Sequence, residues 1–367
     1  MTARAADWFT ASYEHAFATG HHRSLDSALG PIDIIAAHDD LEAINWPPHP
    51  SRSESAVPSA VTIAVTAQPA PGQISASLES AHTQHSPLHG RGAFPLRWLP
   101  GQPWAARYDD GPLVLRHGNQ ILISEVSHGS ASAWINRVLR EAFVHGGRRH
   151  GFRLCHAAIV DIAGRGLLIT GPSGAGKTDL ALKLAQQLPA RVVTIDRGII
   201  GRQGDHLIAG TLPFGMNIHR DTLTDLGCHS EELLRRYPPT NDKHYLSTAD
   251  AIRHCRIALV PQTRIHGLVQ LTPAAAATQW HSLDAVGLTR TLRSADTSDT
   301  DPGYQTDWLG LGTDRAPAPL RPSPGTAGWS LRYRPDRPLP RAWLHDITQT
   351  LGREPRRPRD QRSHMRR

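Results

Sequence analysis

The stretch Gly171-Pro-Ser-Gly-Ala-Gly-Lys-Thr178 constrains this chain more than any other. Leu167-Leu-Ile-Thr170 runs into it and reads as a short buried strand; Asp179–Leu188 runs out of it and reads as a helix. Strand, glycine-rich turn, helix is the context that a Gly-x4-Gly-Lys-[Ser/Thr] phosphate loop requires. Gly171, Gly174 and Gly176 permit backbone conformations and close approaches that a side chain blocks. The loop from Gly171 through Pro172, Ser173, Gly174, Ala175 and Gly176 is expected to wrap phosphate oxygens, with the helix N-terminus adding positive potential. Lys177 is expected to reach the β- and γ-phosphates of ATP, and the Thr178 hydroxyl to ligate Mg²⁺.

Further along, Arg191-Val-Val-Thr-Ile-Asp196 reads as an apolar strand ending in an acid, an element of the Walker-B type. Its carboxylate is the second expected Mg²⁺ ligand, directly or through water. Composition sharpens the basic candidates. The formal charge is +7, yet the only lysines are Lys177, Lys183 and Lys243, and every other basic residue is arginine. Lysine in such a chain marks places that need a compact ammonium. Lys177 and Lys243 fit that role, whereas Lys183 reads as a solvated residue on the helix after the loop.

Other classes are disfavoured. Three scattered cysteines without a Cys-x-x-Cys pair argue against a disulfide framework or a cysteine zinc site. The histidines, His21-His22 and His145/His150 among them, show no metal spacing and read as solvated. No apolar run approaches the roughly 18 residues of a membrane span, and the start lacks a signal-peptide core. A cytoplasmic protein without membrane or nucleic-acid partners is expected.

Taken in order, Pro31–Ala36 and Val61–Thr66 read as strands, and Gln68–Gly92 as an irregular insert. Leu113–Leu115 and Gln120–Ser124 form a hairpin about His117-Gly118-Asn119. Ala131–His145 carries a helical apolar stripe that ends at Gly146-Gly147. Cys155–Asp161 reads as one strand, and Asp221–Leu226 and Ser230–Tyr237 as helical turns. Arg256–Pro261 and Ile265–Leu271 read as strands, and Thr272–Leu292 as a helix. Beyond it, order declines into Pro/Arg-rich chain and a basic tail at 353–367. The domains expected are 1–129, 130–312 and an irregular 313–367.

His156 on the strand before the loop, the loop itself and the strand ending at Asp196 together resemble the catalytic domain of the HPr kinase/phosphorylase family and its HPr-kinase-like relatives. The likeness covers roughly 130–290 and is most specific over 155–197. It implies an α/β (α+β-like) P-loop kinase fold of the HPr kinase/phosphoenolpyruvate carboxykinase type with a mixed sheet. ATP and Mg²⁺ are the implied cofactors, and a homo-oligomer the implied assembly. One departure stands out. The family carries two consecutive aspartates where this chain has Ile195-Asp196, so Asp196 resembles the metal-side acid and Ile195 replaces the base. His156, Asp179, His219 and Asp221 are the remaining candidates for the base, and Lys243 resembles a basic residue of the substrate-side loop. That departure and the divergent N-terminal region favour kinase action on the hydroxyl of a small molecule in a biosynthetic pathway. A protein or peptide serine is the alternative, and a nucleotide-binding regulator without transfer the second.

Overall fold

The computed structural model describes residues 3–47, 61–70, 72–79, 81–88, 92–99, 104–108, 111–126, 131–228, 230–240, 242–274, 277–312 and 317–352. Its N-terminal half is a sheet of strands β1 (His21–Leu25), β2 (Ile32–Ala36), β3 (Val61–Val65), β4 (His82–Leu88), β5 (Gly92–Leu99), β6 (Trp104–Tyr108), β7 (Leu113–His117) and β8 (Gln120–Ser124). Their spatial order is β1-β2-β3-β8-β7-β6-β5-β4, with β2, β3 and β8 parallel and the other pairs antiparallel. Helices α1 (Ala3–Thr19), α2 (His38–Glu42), α3 (Gly72–Glu79) and α4 (Ala131–Glu141) accompany it. Neighbouring side chains on a strand point to opposite faces. Ile35, Leu113, Leu115 and Leu122 therefore meet Phe9 of α1 and Ile74 of α3, while Ile34, Val114, Ile121 and Ile123 face α4.

The second half is a ten-stranded mixed sheet. It contains β9 (Arg153–His156), β10 (Ala158–Ile162), β11 (Arg165–Thr170), β12 (Ala190–Thr194), β13 (Arg197–Gln203) and β14 (His206–Thr211). Beyond the small ladder of β15 (Met216–His219) and β16 (Lys243–Leu246), the sheet is completed by β17 (Ala258–Leu259), β18 (Gln262–Pro273), β19 (Gln279–Ser282) and β20 (Ala327–Tyr333). The helices are α5 (Gly147–Arg149), α6 (Lys177–Gln187), α7 (Arg220–Asp225), α8 (Glu231–Arg236), α9 (Thr248–Cys255), α10 (Ala285–Ala295) and α11 (Arg341–Gly352). β11 lies centrally, antiparallel to β10 and parallel to β18. The β10–β11 turn uses Ala163 and Gly164 at φ 51° and 85°, and Asp161 Oδ1 accepts from the Gly164 amide at 3.0 Å. A shared core runs from Ile34 and Ile121 through Phe143 to Leu154, Ile199 and Trp308, so regions 1–129 and 130–312 bury one another. Among the described residues no helix is long and apolar enough to cross a membrane.

Several expectations are corrected. The insert at 68–92 holds α3 and β4, because Ile74 and Leu78 find a core against the sheet; residues 71, 80 and 89–91 lie outside the described set. The helix expected over 272–292 gives way to the end of β18, then β19, then α10 from Ala285, capped by Asp284. Leu271–Pro273 and Gln279–Ser282 pair with β20 instead, while Ala275 and Ala276 lie outside the described residues. The region beyond 313 is not all irregular: β20 lies parallel to β18, and Trp343 and Ile347 of α11 are buried. The basic tail at 353–367 lies outside the described residues. The helix from Ala131 does not stop at Gly146 but passes through a π-turn, Ala142–Gly146, into α5. His145 on that turn is buried, not solvated. Finally, the single strand expected over 155–161 breaks at Ala157 into β9 and β10, which pair with different neighbours.

Candidate active site

That break positions the site. β12 ends at Thr194 and β13 begins at Arg197, so Ile195 and Asp196 occupy the gap between them. His156, the last residue of β9, is paired in register with Arg197. A histidine and an acid from distant stretches thus meet at one split in the sheet, beside the loop that follows β11.

The loop has the backbone its glycines imply. Gly176 sits at φ 89°, and a Cβ there would come within 3.0 Å of the Tyr333 ring and Pro335. Gly171, at φ 155°, lies so close to β18 that a Cβ would approach Leu271 O at 2.7 Å. Lys177 opens α6 and folds back over the loop, its Nζ donating to Gly171 O at 2.9 Å and Pro172 O at 3.1 Å. Burial lowers its pKa; Asp196 opposes that shift and Lys243 adds to it. Lys177 therefore feels both an acid and a second cation. Thr178 Oγ1 donates to Ile195 O at 3.1 Å, tying the helix start to the residue before Asp196.

Asp196 is held from two sides. Its Oδ1 lies 3.3 Å from His156 Nε2, and its Oδ2 accepts from Arg197 Nη1 at 3.0 Å. Arg197 Nε donates in turn to Asp301 Oδ2 at 2.7 Å, and Asp301 is buried. Burial pulls the Arg197 pKa down, but Asp196 and Asp301 outweigh it and hold it above the ordinary value. Ile195 is 3% exposed and belongs to the core cluster that includes α6, while also bordering the narrow cleft that Asp196 lines. Lys243 is exposed at the start of β16, opposite His219 in the β15–β16 ladder, so the two side chains share a face.

Asp179 lies elsewhere. It is buried, accepts from the Tyr333 hydroxyl, and sits 3.1 Å from Lys183 Nζ. Burial raises its pKa against the opposing pull of Tyr333 and Lys183. Lys183 is correspondingly buried, not solvated; it pairs with Asp179 and donates to Pro335 O. Asp221 is in the first turn of α7. The structure thus gathers Lys177, Thr178, Asp196 and His156, with Lys243 in electrostatic reach, and turns Asp179 toward β20.

Two participants escape sequence reading. Arg197 follows Asp196 directly, but its bridging role depends on Asp301, whose only local signal is the Asp-Pro start of a 3₁₀ turn. Tyr333 carries no motif. Among the described residues no cluster of three or more metal-ligating side chains occurs. Thr178 and Asp196 nonetheless fit Mg²⁺, which prefers oxygen donors and is commonly bound through one or two carboxylates with nucleotide phosphates and water.

The class defined by this geometry is a phosphate-loop site with an acid, a histidine and a second lysine around it. No family model matches the chain. Over 61 residues it is 43% identical to the HPr kinase/phosphorylase of Lacticaseibacillus casei (strain BL23), covering 17% of this chain and 19% of that protein. Over 61 residues it is 39% identical to the HPr kinase/phosphorylase of Latilactobacillus sakei subsp. sakei (strain 23K). The chain therefore spans about a fifth, 19%, of the length of the curated relatives it matches. Among solved structures, the Hpr(Ser) kinase/phosphatase from Coxiella burnetii aligns with a TM-score of 0.26 at 14% identity, over 55% of this chain and 93% of that one.

Proposed function

We propose that this chain is an ATP- and Mg²⁺-dependent kinase of the HPr kinase type whose acceptor is a serine hydroxyl of a protein. The observation that carries this is the meeting of His156 and Asp196, 3.3 Å apart, beside a phosphate loop whose Lys177 feels both Asp196 and Lys243. The match to HPr kinase/phosphorylases supports a protein acceptor over the small-molecule hydroxyl.

In this reading Lys177 exchanges its loop carbonyls for the β- and γ-phosphates. Thr178 and Asp196 would hold Mg²⁺, which neutralises phosphate charge. The acceptor oxygen bonds to the γ-phosphorus as the bond to the bridging oxygen breaks, leaving ADP. With Nε2 turned to Asp196, His156 takes the hydroxyl proton on its other ring nitrogen, Nδ1, and Lys243 steadies the charge on the transferring group. Such a transfer depends mainly on positioning and charge neutralisation, so one histidine can serve where the family uses a carboxylate.

Ile195 favours a second reading. Its burial leaves no carboxylate at the family's base position, as expected of a protein that binds ATP without transferring phosphate. Incubation with Mg-ATP and either HPr or serine peptides, followed by mass spectrometry, separates the two. A phosphate gained on serine, lost in Lys177→Ala and strongly reduced in a folded Asp196→Asn variant, is the expected result. ATP binding with no transfer to any acceptor establishes the second reading, and full turnover in Asp196→Asn overturns the role of that acid.

A further inference from the structure

The 3₁₀ turn Pro302–Tyr304 is remote from the phosphate loop in the chain, yet the residue that caps it reaches the site. Asp301 is 5% exposed. Its Oδ1 accepts from the Gly303 amide at 3.0 Å, and its Oδ2 accepts from Arg197 Nε at 2.7 Å, across 104 residues of sequence. The segment before it is laid along β9. The Thr297 amide donates to Leu154 O at 2.9 Å, and the Leu154 amide donates to Ser298 Oγ at 2.8 Å. From the other side, Arg137 of α4 donates to Gly303 O at 3.2 Å. Asp301 is thereby fixed against the strand that ends at His156.

Arg197 poses a difficulty for a cation site. Its Nη1 donates to Asp196 Oδ2 at 3.0 Å, which sets a permanent positive charge on the carboxylate that the preceding reading gives to Mg²⁺. A guanidinium so placed repels a second cation. The geometry offsets this. Arg197 presents two different edges to two different acids, Nε to Asp301 and Nη1 to Asp196. Two carboxylates against one guanidinium leave the trio with one net negative charge, whereas Asp196 and Arg197 alone would sum to zero. The Asp301 carboxylate is buried, so solvent screens its share of that charge little.

We propose that Asp301 is a positioning residue for the cation at Asp196: it fixes Arg197 and offsets its charge, so that Asp196 still attracts Mg²⁺. The inference rests on the reading of Asp196 as a Mg²⁺ ligand. Side chains that act on a metal through its ligands commonly change metal affinity about 10–100-fold when they are replaced. Asp301 lies outside the stretch 155–197, where the sequence likeness is most specific, so this dependence belongs to the chain's own architecture.

Binding of a fluorescent ATP analogue to the full chain, titrated with magnesium chloride at constant ionic strength, tests this without calling on phosphoryl transfer. Asp301→Asn keeps the shape and the acceptor for the Gly303 amide but removes the charge; it should raise the half-saturating Mg²⁺ about 10–100-fold and leave metal-free binding of the analogue unchanged. Arg197→Gln keeps a hydrogen-bond donor but removes the competing cation, and should not raise the requirement. The two substitutions together restore the net negative charge and should return the requirement toward wild type. Thermal unfolding checks that each variant folds; where Asp301→Asn does not, the Arg197→Gln result still decides. An unchanged Mg²⁺ requirement in folded Asp301→Asn overturns the proposal, and so does a rise in Arg197→Gln. A double variant as impaired as Asp301→Asn overturns it too and leaves Asp301 as the cap of its turn. Wild-type binding with no response to Mg²⁺ removes Asp196 from the metal and the inference with it. Binding that follows these charges supports the proposal even where no serine gains phosphate, a result that would defeat the kinase reading alone.

Discussion

Ile195 is where this chain departs from the family it resembles, and Ile195→Asp tests whether that position belongs to the site or to the core. Its side chain is 3% exposed and packs in the cluster formed by α6, β10–β12 and β18. Removing a buried isoleucine to a small residue costs about 2–5 kcal/mol. Leaving a carboxylic acid among apolar neighbours adds about 1–3 kcal/mol. A loss of about 3–8 kcal/mol is therefore expected, a large share of the roughly 5–15 kcal/mol that holds a domain together. The introduced carboxyl has its pKa raised by burial, so the folded state binds its proton more tightly than the unfolded chain. The variant's stability should accordingly fall as pH rises above about 4, the ordinary aspartate value. Urea unfolding between pH 4 and 8 measures both effects, with Ile195→Val as a control expected to lose only about 1 kcal/mol. A loss under 1 kcal/mol with no pH slope would mean that the side chain faces the site, and His156 would lose its claim to be the base.

Tyr333→Phe keeps the ring against Gly176 but removes the hydroxyl that Asp179 accepts, so a loss of about 1–3 kcal/mol is expected in thermal unfolding; an unchanged midpoint refutes the anchoring role of β20. Lys177 loses its proton below the ordinary lysine value, so affinity for an ATP analogue should drop at a pH below about 10.4. Lys243→Met removes a charge that lowers that pKa and should move the drop upward; the same pH in both proteins separates Lys243 from the loop. The sign for folding is opposite. The unfolded chain binds this proton more tightly, so the cost of the buried ammonium is present at low pH and is relieved as pH rises through the folded pKa.

What is legible in the sequence is what short stretches decide. The strand, loop and first turn of α6 follow from a contiguous run, and Asp196 is placed by the apolar strand before it. The β7–β8 hairpin is fixed by its turn, and α4 by its stripe. Contacts across long separations leave no local trace. Lys183 reads as solvated from its own helix, because its burial is due to Pro335, over 150 residues away. The same holds for Arg197 and Asp301. The buried stretch from Cys155 to Asp161 lacks the alternation that would show its break at Ala157, and without that break the meeting of His156 and Asp196 cannot be foreseen.

The same contrast bears on where selectivity lies. Phosphate recognition needs only the loop and its immediate neighbours, and these are compact in the chain. The other side of Asp196 is assembled from afar. A narrow cleft beside that acid is lined by Asn45 and Pro47 of the N-terminal half together with Leu212, Phe214 and Thr248. Asn45 is fixed there twice: its amide donates to Asn136 Oδ1 at 3.1 Å, and its Oδ1 accepts from the Thr248 amide at 3.0 Å. Arg140 adds a third tie, donating to Pro213 O at 3.1 Å beneath the same wall. The N-terminal half thus supplies part of the cleft beside Asp196. On the kinase reading, this divides the labour between the halves: the segment with the strong motif holds the nucleotide, and the segment that matches no motif shapes the choice of acceptor.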